Sequence, residues 1–349
     1  MIGPKHSTFK RILPQLLILA AALAINLVVF PDFFDIDFRN GRLFGNLIDV
    51  LNRAAPVAIL CVGMTLVIAT RGIDLSVGAV MAIAGATSAA VVVEGHGWVT
   101  ALLAGLGAGA LCGLWNGILV AVLKIQPIVA TLVLMVAGRG VAQLITEGKI
   151  LTFSNEGLIH LGAGVVAGVP TPILVWMTLG ALVIFVVRRT ALGMLIEAIG
   201  INERSSRLAG INSRVLLISV YLVSGLCAAL AGVIVAADIK GADANNAGLW
   251  LELDAILAVV IGGNSLLGGR FSILASLIGA LIIQSVNSVI LLSGMPPEFN
   301  LVIKALLILA ILVIQSPRIS TLVYMLRASG PQPQPDTAPL PKTQKEEAQ

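Results

Sequence analysis

The side chains able to bind or move a polar solute are few here, and most stand in apolar surroundings. Arg139 lies in Met135-Val-Ala-Gly-Arg-Gly-Val-Ala142, well inside an apolar run, and Asp74 lies in Gly72-Ile-Asp-Leu-Ser76. An ionisable group at membrane depth costs roughly 2.5–3.5 kcal/mol on insertion scales, so each needs a partner or an aqueous neighbour. Arg139 has two readings: a buried ion pair with Asp74, Glu252 or Asp254, or a cation facing a water-filled path. Asp74 also has two: a pathway group, or a cap on the free amides of the helix that follows its Gly-opened break. Asn116 and Gln126 bracket a turn at Pro127, where their amides serve as interhelical hydrogen bonds or as ligands. The densest polar patch runs from Ala237 to Asp254 and holds Asn245, Asn246, Trp250, Glu252 and Asp254. Hydroxyl partners beside an aromatic face suit a sugar-lined entrance, and an ordinary solvated loop has the same make-up. The candidate pathway set is therefore Asp74, Asn116, Arg139, Asn245, Asn246, Glu252 and Asp254.

Covalent and metal chemistry find little support. The three Cys (Cys61, Cys112, Cys227) sit in apolar runs without ligand spacing, and His6, His96 and His160 are scattered, so no metal site is expected. No G-x-x-x-x-G-K-[S/T] phosphate loop, H-E-x-x-H or G-x-S-x-G appears. The chain is not read as an enzyme and carries no cofactor of its own. Energy for transport must come from an ion gradient or from another subunit.

The elements that position these residues are membrane helices. Of 349 residues 58% are hydrophobic and 11% charged, with a mean hydropathy of +1.00, whereas soluble domains carry about 25% charge. The net charge of +4 comes from basic residues scattered between apolar spans, which excludes a nucleic-acid face. Crossing takes about 20 apolar residues. Runs fall at Ile12–Pro31, Ala54–Thr70, Leu75–Val93, Trp98–Leu123, Ile125–Thr146, Gly162–Val187, Val215–Ala237, Ala255–Leu267, Phe271–Leu292 and Phe299–Ile314. The expectation is an all-α polytopic membrane protein of about ten crossings, with Ala255–Leu267 as a broken or re-entrant helix. Ala22-Leu23-Ala24 resembles a signal cleavage site, but the apolar run continues to Phe30, so the first run is read as a span.

Loop charge orients the spans. Segment 188–214 holds five Arg against two Glu, a net +3, and segment 32–53 holds three Arg against four Asp, a net −1. Positive loops stay in the cytoplasm, which puts both termini there. Residues 1–11 form the cytoplasmic N-terminus and 12–317 the membrane domain. Residues 318–349 form a tail whose polar part, rich in Pro and Gln, is expected to be disordered. Gly105, Gly109, Gly113 and Gly117 recur every fourth position, a stack that lets a neighbouring backbone approach. The stretches 68–78 and 260–269 each set a Gly-rich polar break between apolar runs, a weak sign of an inverted repeat.

The segment Thr190–Asn212 has a short helical middle, Glu203–Ala209, between Gly200 and Gly210. An exposed short helix between glycines suits docking to a partner protein, through Gly200, Asn202, Glu203, Arg204, Arg207 and Gly210.

With Gly72-Ile-Asp-Leu-Ser-Val-Gly-Ala79, Trp115-Asn-Gly-Ile-Leu-Val120, the Gly200–Gly210 loop and Glu252–Gly263 followed by Leu267-Gly-Gly269, the chain resembles the membrane permeases of ribose-type sugar ABC importers from Leu43 to Gln315. Asn52–Ala58, Met64–Ala69, Gly138–Thr146 and Gly241–Trp250 make it most similar to the galactofuranose importer permeases of that family. Arg71 departs from the pattern, since Gly is common before Gly-Ile-Asp. The resemblance implies a bacterial inner-membrane permease paired with an identical or paralogous copy. It also implies a cytoplasmic ATP-binding cassette docked on the Gly200–Gly210 loop, and a periplasmic sugar-binding protein. ATP would be used by the cassette. The alternatives are an ion-coupled secondary sugar transporter using Asp74, Arg139 and Glu252, and a scaffold subunit without transport activity.

Overall fold

A computed structural model describes residues 6–39, 41–294, 296 and 298–315. The expected C-terminal tail, 318–349, lies outside the described residues. In chain order the helices are α1 (His6–Val29), α2 (Asn46–Arg53), α3 (Ala55–Ala69), α4 (Val77–Val93), α5 (Trp98–Ala121), α6 (Pro127–Ile145) and α7 (Glu156–Ala163), then α8 (Thr171–Arg189), α9 (Leu192–Ile201), α10 (Glu203–Leu208), α11 (Ser213–Asp238), α12 (Leu251–Ile261), α13 (Ile273–Leu292) and α14 (Glu298–Gln315). Among the described residues six helices are long and apolar enough to cross a membrane: α1, α5, α6, α8, α11 and α13. A seventh crossing follows if α2 and α3, bent by 40°, count as one. Pro56 at the start of α3 lacks an N–H and explains the bend.

The fold is mostly helical, as the all-α reading expects, and one expected span needs correction. Among the described residues three antiparallel ribbons occur: β1 (Asp37–Arg39) with β2 (Arg42–Phe44), β3 (Leu151–Thr152) with β6 (Gly241–Ala242), and β4 (Val165–Val166) with β5 (Val169–Pro170). The β4–β5 ribbon lies inside the run expected to cross from Gly162, and Pro170 there cannot continue a helix, so α8 starts at Thr171.

α11 is the central helix, packed against α3, α4, α5 and α7. Its neighbours approach so closely because small residues line the contacts. A Cβ added at Gly109 would overlap the Ala229 side chain and the Gly225 carbonyl. One at Gly113 would overlap the Tyr221 carbonyl, and one at Gly232 the backbone of Met81 in α4. The four-residue glycine stack of α5 thus presses mainly on α11, the van der Waals packing that replaces the hydrophobic effect between membrane helices. Both α3 and α4 are buried along most of their length, while α1 covers α13 and hydrogen-bonds it through Asn26 Nδ2 to Ser285 Oγ at 2.9 Å. α14 forms a separate unit with Glu298 in its first turn.

Some helices are too short to cross. At 1.5 Å per residue, α3 is about 22 Å long and α12 about 16 Å, against a hydrocarbon core of about 30 Å. Each ends in a non-helical break, 70–76 after α3 and 262–272 after α12.

Gly113→Val is expected to force α5 off α11 and cost about 1–3 kcal/mol, read as a lower apparent Tm in detergent. Gly107→Val on the open face of α5, where an added Cβ meets nothing within 4 Å, should leave Tm nearly unchanged. Equal losses at both positions would contradict this packing.

Candidate functional site

In a bilayer core every backbone polar group needs a partner inside the protein, and irregular backbone is tolerated only where protein or a cavity surrounds it. The first break meets this demand through side chains from three helices. Asp74 Oδ1 accepts from the Ser76 amide (3.0 Å) and from Ser76 Oγ (2.6 Å), while Oδ2 accepts from Ser224 Oγ of α11 (2.8 Å). Asn116 of α5 donates to Ser76 Oγ at 2.8 Å. Thr131 of α6 accepts from the Leu75 amide and donates to the Ile73 carbonyl, each at 3.2 Å. Asp74 therefore closes a turn just before α4. The N-cap residue of α4 is Ser76, which makes no side-chain cap bond to the helix amides. That corrects the capping expectation.

The second break is organised by Asn264, which is buried. Its Nδ2 donates to the Val259 carbonyl (3.1 Å) and to Ser276 Oγ (2.9 Å), and its Oδ1 accepts from the Ser272 amide (2.7 Å). Thr65 Oγ1 of α3 reaches Ser276 Oγ at 2.7 Å. Gln15 of α1 donates to the Gly262 carbonyl at 3.2 Å. The two breaks touch: the Gly269 amide donates to the Ala69 carbonyl at 2.9 Å.

A third irregular stretch, 243–250, precedes α12 and runs down the side of α4. Ala242 packs with Ala86 and Ala89, and Ala244 with Ala82 and Ile83. Gly248 then lies against the backbone of Gly78, with no room for a Cβ on either glycine. From Ala86 to Gly78 is about 12 Å of helix rise, so this chain enters the bundle before α12 begins. Arg139 serves that stretch: its Nη1 donates to the carbonyls of Ala244 (3.0 Å) and Ala247 (2.6 Å). Glu252 and Asp243 lie within electrostatic reach of the guanidinium, and Asp74 is held in a different network. Gln143 donates to Asn245 Oδ1 at 2.8 Å, and Asp243 accepts from the amides of Asn245 (3.0 Å) and Asn246 (3.2 Å). Those bonds, with the Asn246 side-chain amide contributing most, hold the Asp243 carboxyl below its usual range. Glu252 and Asp254, both buried, occupy the first turn of α12, where the helix dipole favours acids. Arg139, Asn245, Asn246 and Glu252 are thus gathered around one non-helical stretch, and Asp74 with Asn116 forms a separate network.

The Gly200–Gly210 segment attaches to the break end of the bundle. Gly200, near the end of α9, sits where a Cβ would overlap the Ala69 carbonyl and the Gly269 amide. Asn202 caps α10 by accepting from the Ser205 amide at 3.0 Å, and Gly210 ends the segment with φ +86°. Glu203 accepts from Lys124 Nζ (2.8 Å) and Ser213 Oγ (3.0 Å). The Lys124 bond chiefly holds the Glu203 carboxyl below the usual glutamate range, against a smaller opposing effect of burial. Arg204, Arg207 and Leu208 line an open groove of about 530 Å³ with Lys124 and Glu203.

The family model described as "Branched-chain amino acid transport system / permease component" matches residues 46–312. The chain belongs to this permease family. It is 60% identical to the galactofuranose transporter permease protein YtfT of Escherichia coli K12, over 90% of this chain and 93% of the relative. It is 40% identical to the fructose import permease protein FruF of Bifidobacterium longum, over 90% and 91%. To the ribose import permease protein RbsC of Haemophilus influenzae the figure is 38%, over 82% and 87%. No solved structure matches.

Several residues that organise the permease escaped the sequence reading. Asn264, Thr65, Ser276 and Ser224 are isolated polar residues in apolar runs, and their meaning comes from partners up to 211 residues away. Asn264 carried one visible signal, its place in Gly262-Gly-Asn-Ser265. Among the described residues no three His, Cys, Asp or Glu side chains gather as a metal site would require.

Arg139→Leu should leave the Ala244 and Ala247 carbonyls without this donor, at about 1–3 kcal/mol for the buried Ala244 acceptor and less for the half-buried Ala247. A clear fall in apparent Tm is expected, and an unchanged Tm would contradict the assignment. The α10 anchor carries a pH prediction. A carboxyl depressed in the folded state stabilises above its unfolded value, about 4.3, and that stabilisation is lost as pH falls through the lower folded value. A spin label at Leu208→Cys should keep constant mobility from pH 7 to about 4.3 and loosen only below it. Loosening at pH 6 would show that Lys124–Glu203 is not the anchor.

Proposed function

We propose that this permease is the membrane subunit of an ATP-binding-cassette importer that moves a monosaccharide, galactofuranose or a related sugar, across the bacterial inner membrane. The observation that carries the reading is the α9–α10 segment. Leu208 is 84% exposed and Ile201 59%, on a segment rich in Arg, yet the same segment is hydrogen-bonded to Lys124 and pressed by Gly200 onto both helix breaks. A surface that is open on one side and tied to broken helices on the other suits a cassette that drives helix movement. The sugar follows from the names of the galactofuranose, fructose and ribose relatives.

On this reading both termini are cytoplasmic and the chain crosses about ten times. α4, the broken α12 and α14 are then counted with the six long helices and the α2–α3 pair. The net charge of +3 on segment 188–214 supports that orientation. Asn245, Asn246, Glu252, Asp254 and Arg139 belong to the outer part of the path, and Asp74 and Asn116 to its inner part. A second permease, identical or paralogous, and a periplasmic sugar-binding protein complete the assembly, and hydrolysis of ATP belongs to the cassette. An ion-coupled carrier would need Asp74, Arg139 and Glu252 to act as one relay. The separate networks of Asp74 and Arg139 weigh against it.

The test is purification of the tagged chain from its native membranes in mild detergent, with mass spectrometry of what accompanies it and uptake of radiolabelled galactose, fructose and ribose into vesicles. An ATP-binding cassette should co-purify, and uptake should require ATP on the cassette side. Charge reversal at Arg204 and Arg207 together should reduce co-purified cassette at least fivefold. Uptake by the chain alone, abolished by an ionophore, would overturn the reading.

A further inference from the structure

Arg71 stands where the α9–α10 segment, the break after α3 and the loop after α12 meet. Its Nη2 donates to the carbonyl of Ile201, the last residue of α9, at 2.6 Å, and its Nε donates to the Leu267 carbonyl at 2.9 Å. These acceptors lie 130 and 196 residues away in sequence. Ile201 carries one of the carbonyls that a helix C-terminus leaves without an intrahelical partner, at the negative end of the dipole, so a cation is doubly suited to it. Just before the same break, the last carbonyl of α3, Ala69 O, receives the Gly269 amide, and Gly200 packs against both atoms. A guanidinium is a planar, rigid fork. With one arm on α9 and the other on the 262–272 loop, it fixes their separation. If α9 shifts by more than the slack of a hydrogen bond, the loop follows or a bond breaks.

We propose that Arg71 is the positioning residue that transmits movement of the α9–α10 segment to both helix breaks. It touches neither sugar nor nucleotide. The proposal deepens the importer reading and rests on it for its transport consequence, but the physical tie can be measured without any partner. Arg71 has φ +64°, a conformation in which glycine is at ease, so Arg71→Gly removes both bonds while relaxing the backbone. Arg71→Lys keeps the charge but presents a single ammonium in place of the two-armed fork.

Two measurements decide. The first uses spin labels at Leu208→Cys and Leu267→Cys, both strongly exposed positions, in the purified permease. The distance distribution should be narrow with Arg71 present and broaden at least twofold in Arg71→Gly, with Arg71→Lys between. An unchanged distribution in Arg71→Gly overturns the tie. The second uses the complex purified from native membranes, in vesicles, with the periplasmic sugar-binding protein, radiolabelled galactose and ATP. Sugar moved per ATP hydrolysed should fall at least tenfold in Arg71→Gly and be partly retained in Arg71→Lys, with the amount of co-purified cassette the same. Wild-type stoichiometry in Arg71→Gly overturns the transmission role. A staple that only stabilised the fold would lower Tm and total protein without changing that ratio. If the unsubstituted complex shows no ATP-driven uptake, the importer reading fails, and the distance measurement still judges the tie.

Discussion

The bilayer demands a partner for every backbone amide and carbonyl, and this permease meets that demand without keeping its helices whole. The chain leaves helical geometry after α3, after α12 and again along 243–250. At each place side chains from the break itself or from neighbouring helices take over the orphaned groups. Thr131 and Asp74 serve the first break, Asn264 and Gln15 the second, and Arg139 the stretch 243–250. Removing any of them would leave backbone dipoles in a medium that cannot solvate them. The placement of Thr131, Asn264, Gln15 and Arg139 follows from this one constraint.

Close packing is the second half of the same solution. Irregular backbone can be shielded only if neighbouring helices come near, and glycine contacts between α5 and α11 and between α4 and α11 bring them near. The stretch 243–250 could not lie along α4 if Gly78 or Gly248 carried a side chain. Small residues here do more than fill space, because they open the channel into which non-helical chain is laid. A helix that is whole moves as a rod, whereas two half-helices joined by a hydrogen-bonded loop can be displaced separately. The α9–α10 segment rests on both breaks at once, through Gly200 and Arg71, and so has mechanical access to them.

Much of this was legible in the sequence, and the reasons differ by level. Each apolar run holds a helix because composition alone decides what can sit in lipid, but the runs from Gly162 and from Ala255 are helical over only part of their length. The break at Gly72-Ile-Asp-Leu-Ser76 and the one at Gly262-Gly-Asn-Ser265 were visible as glycine beside polar residues. The short helix at Glu203–Leu208 was visible between its two glycines. Partners were not legible. Arg139 could be read as half of an ion pair or as a cation facing a path, and it meets two carbonyls whose need for a donor arises only once 243–250 has left helical geometry. Asp74 could be read as a helix cap or as a pathway group, and it joins Ser76 to Ser224 of α11, 150 residues away. The ribbons at the bundle end were missed because two or three residues of pairing leave no periodic trace.

The central claim is that the two breaks form one hydrogen-bonded unit that responds as a unit. Hydrogen–deuterium exchange on the purified complex, with and without bound nucleotide, tests this most directly. The account predicts that the amides of 70–76 and 262–269 change protection together when nucleotide binds, while the α5–α11 contact stays equally protected in both states. A change confined to one break, or one seated in α5 and α11 with both breaks unaffected, would contradict it.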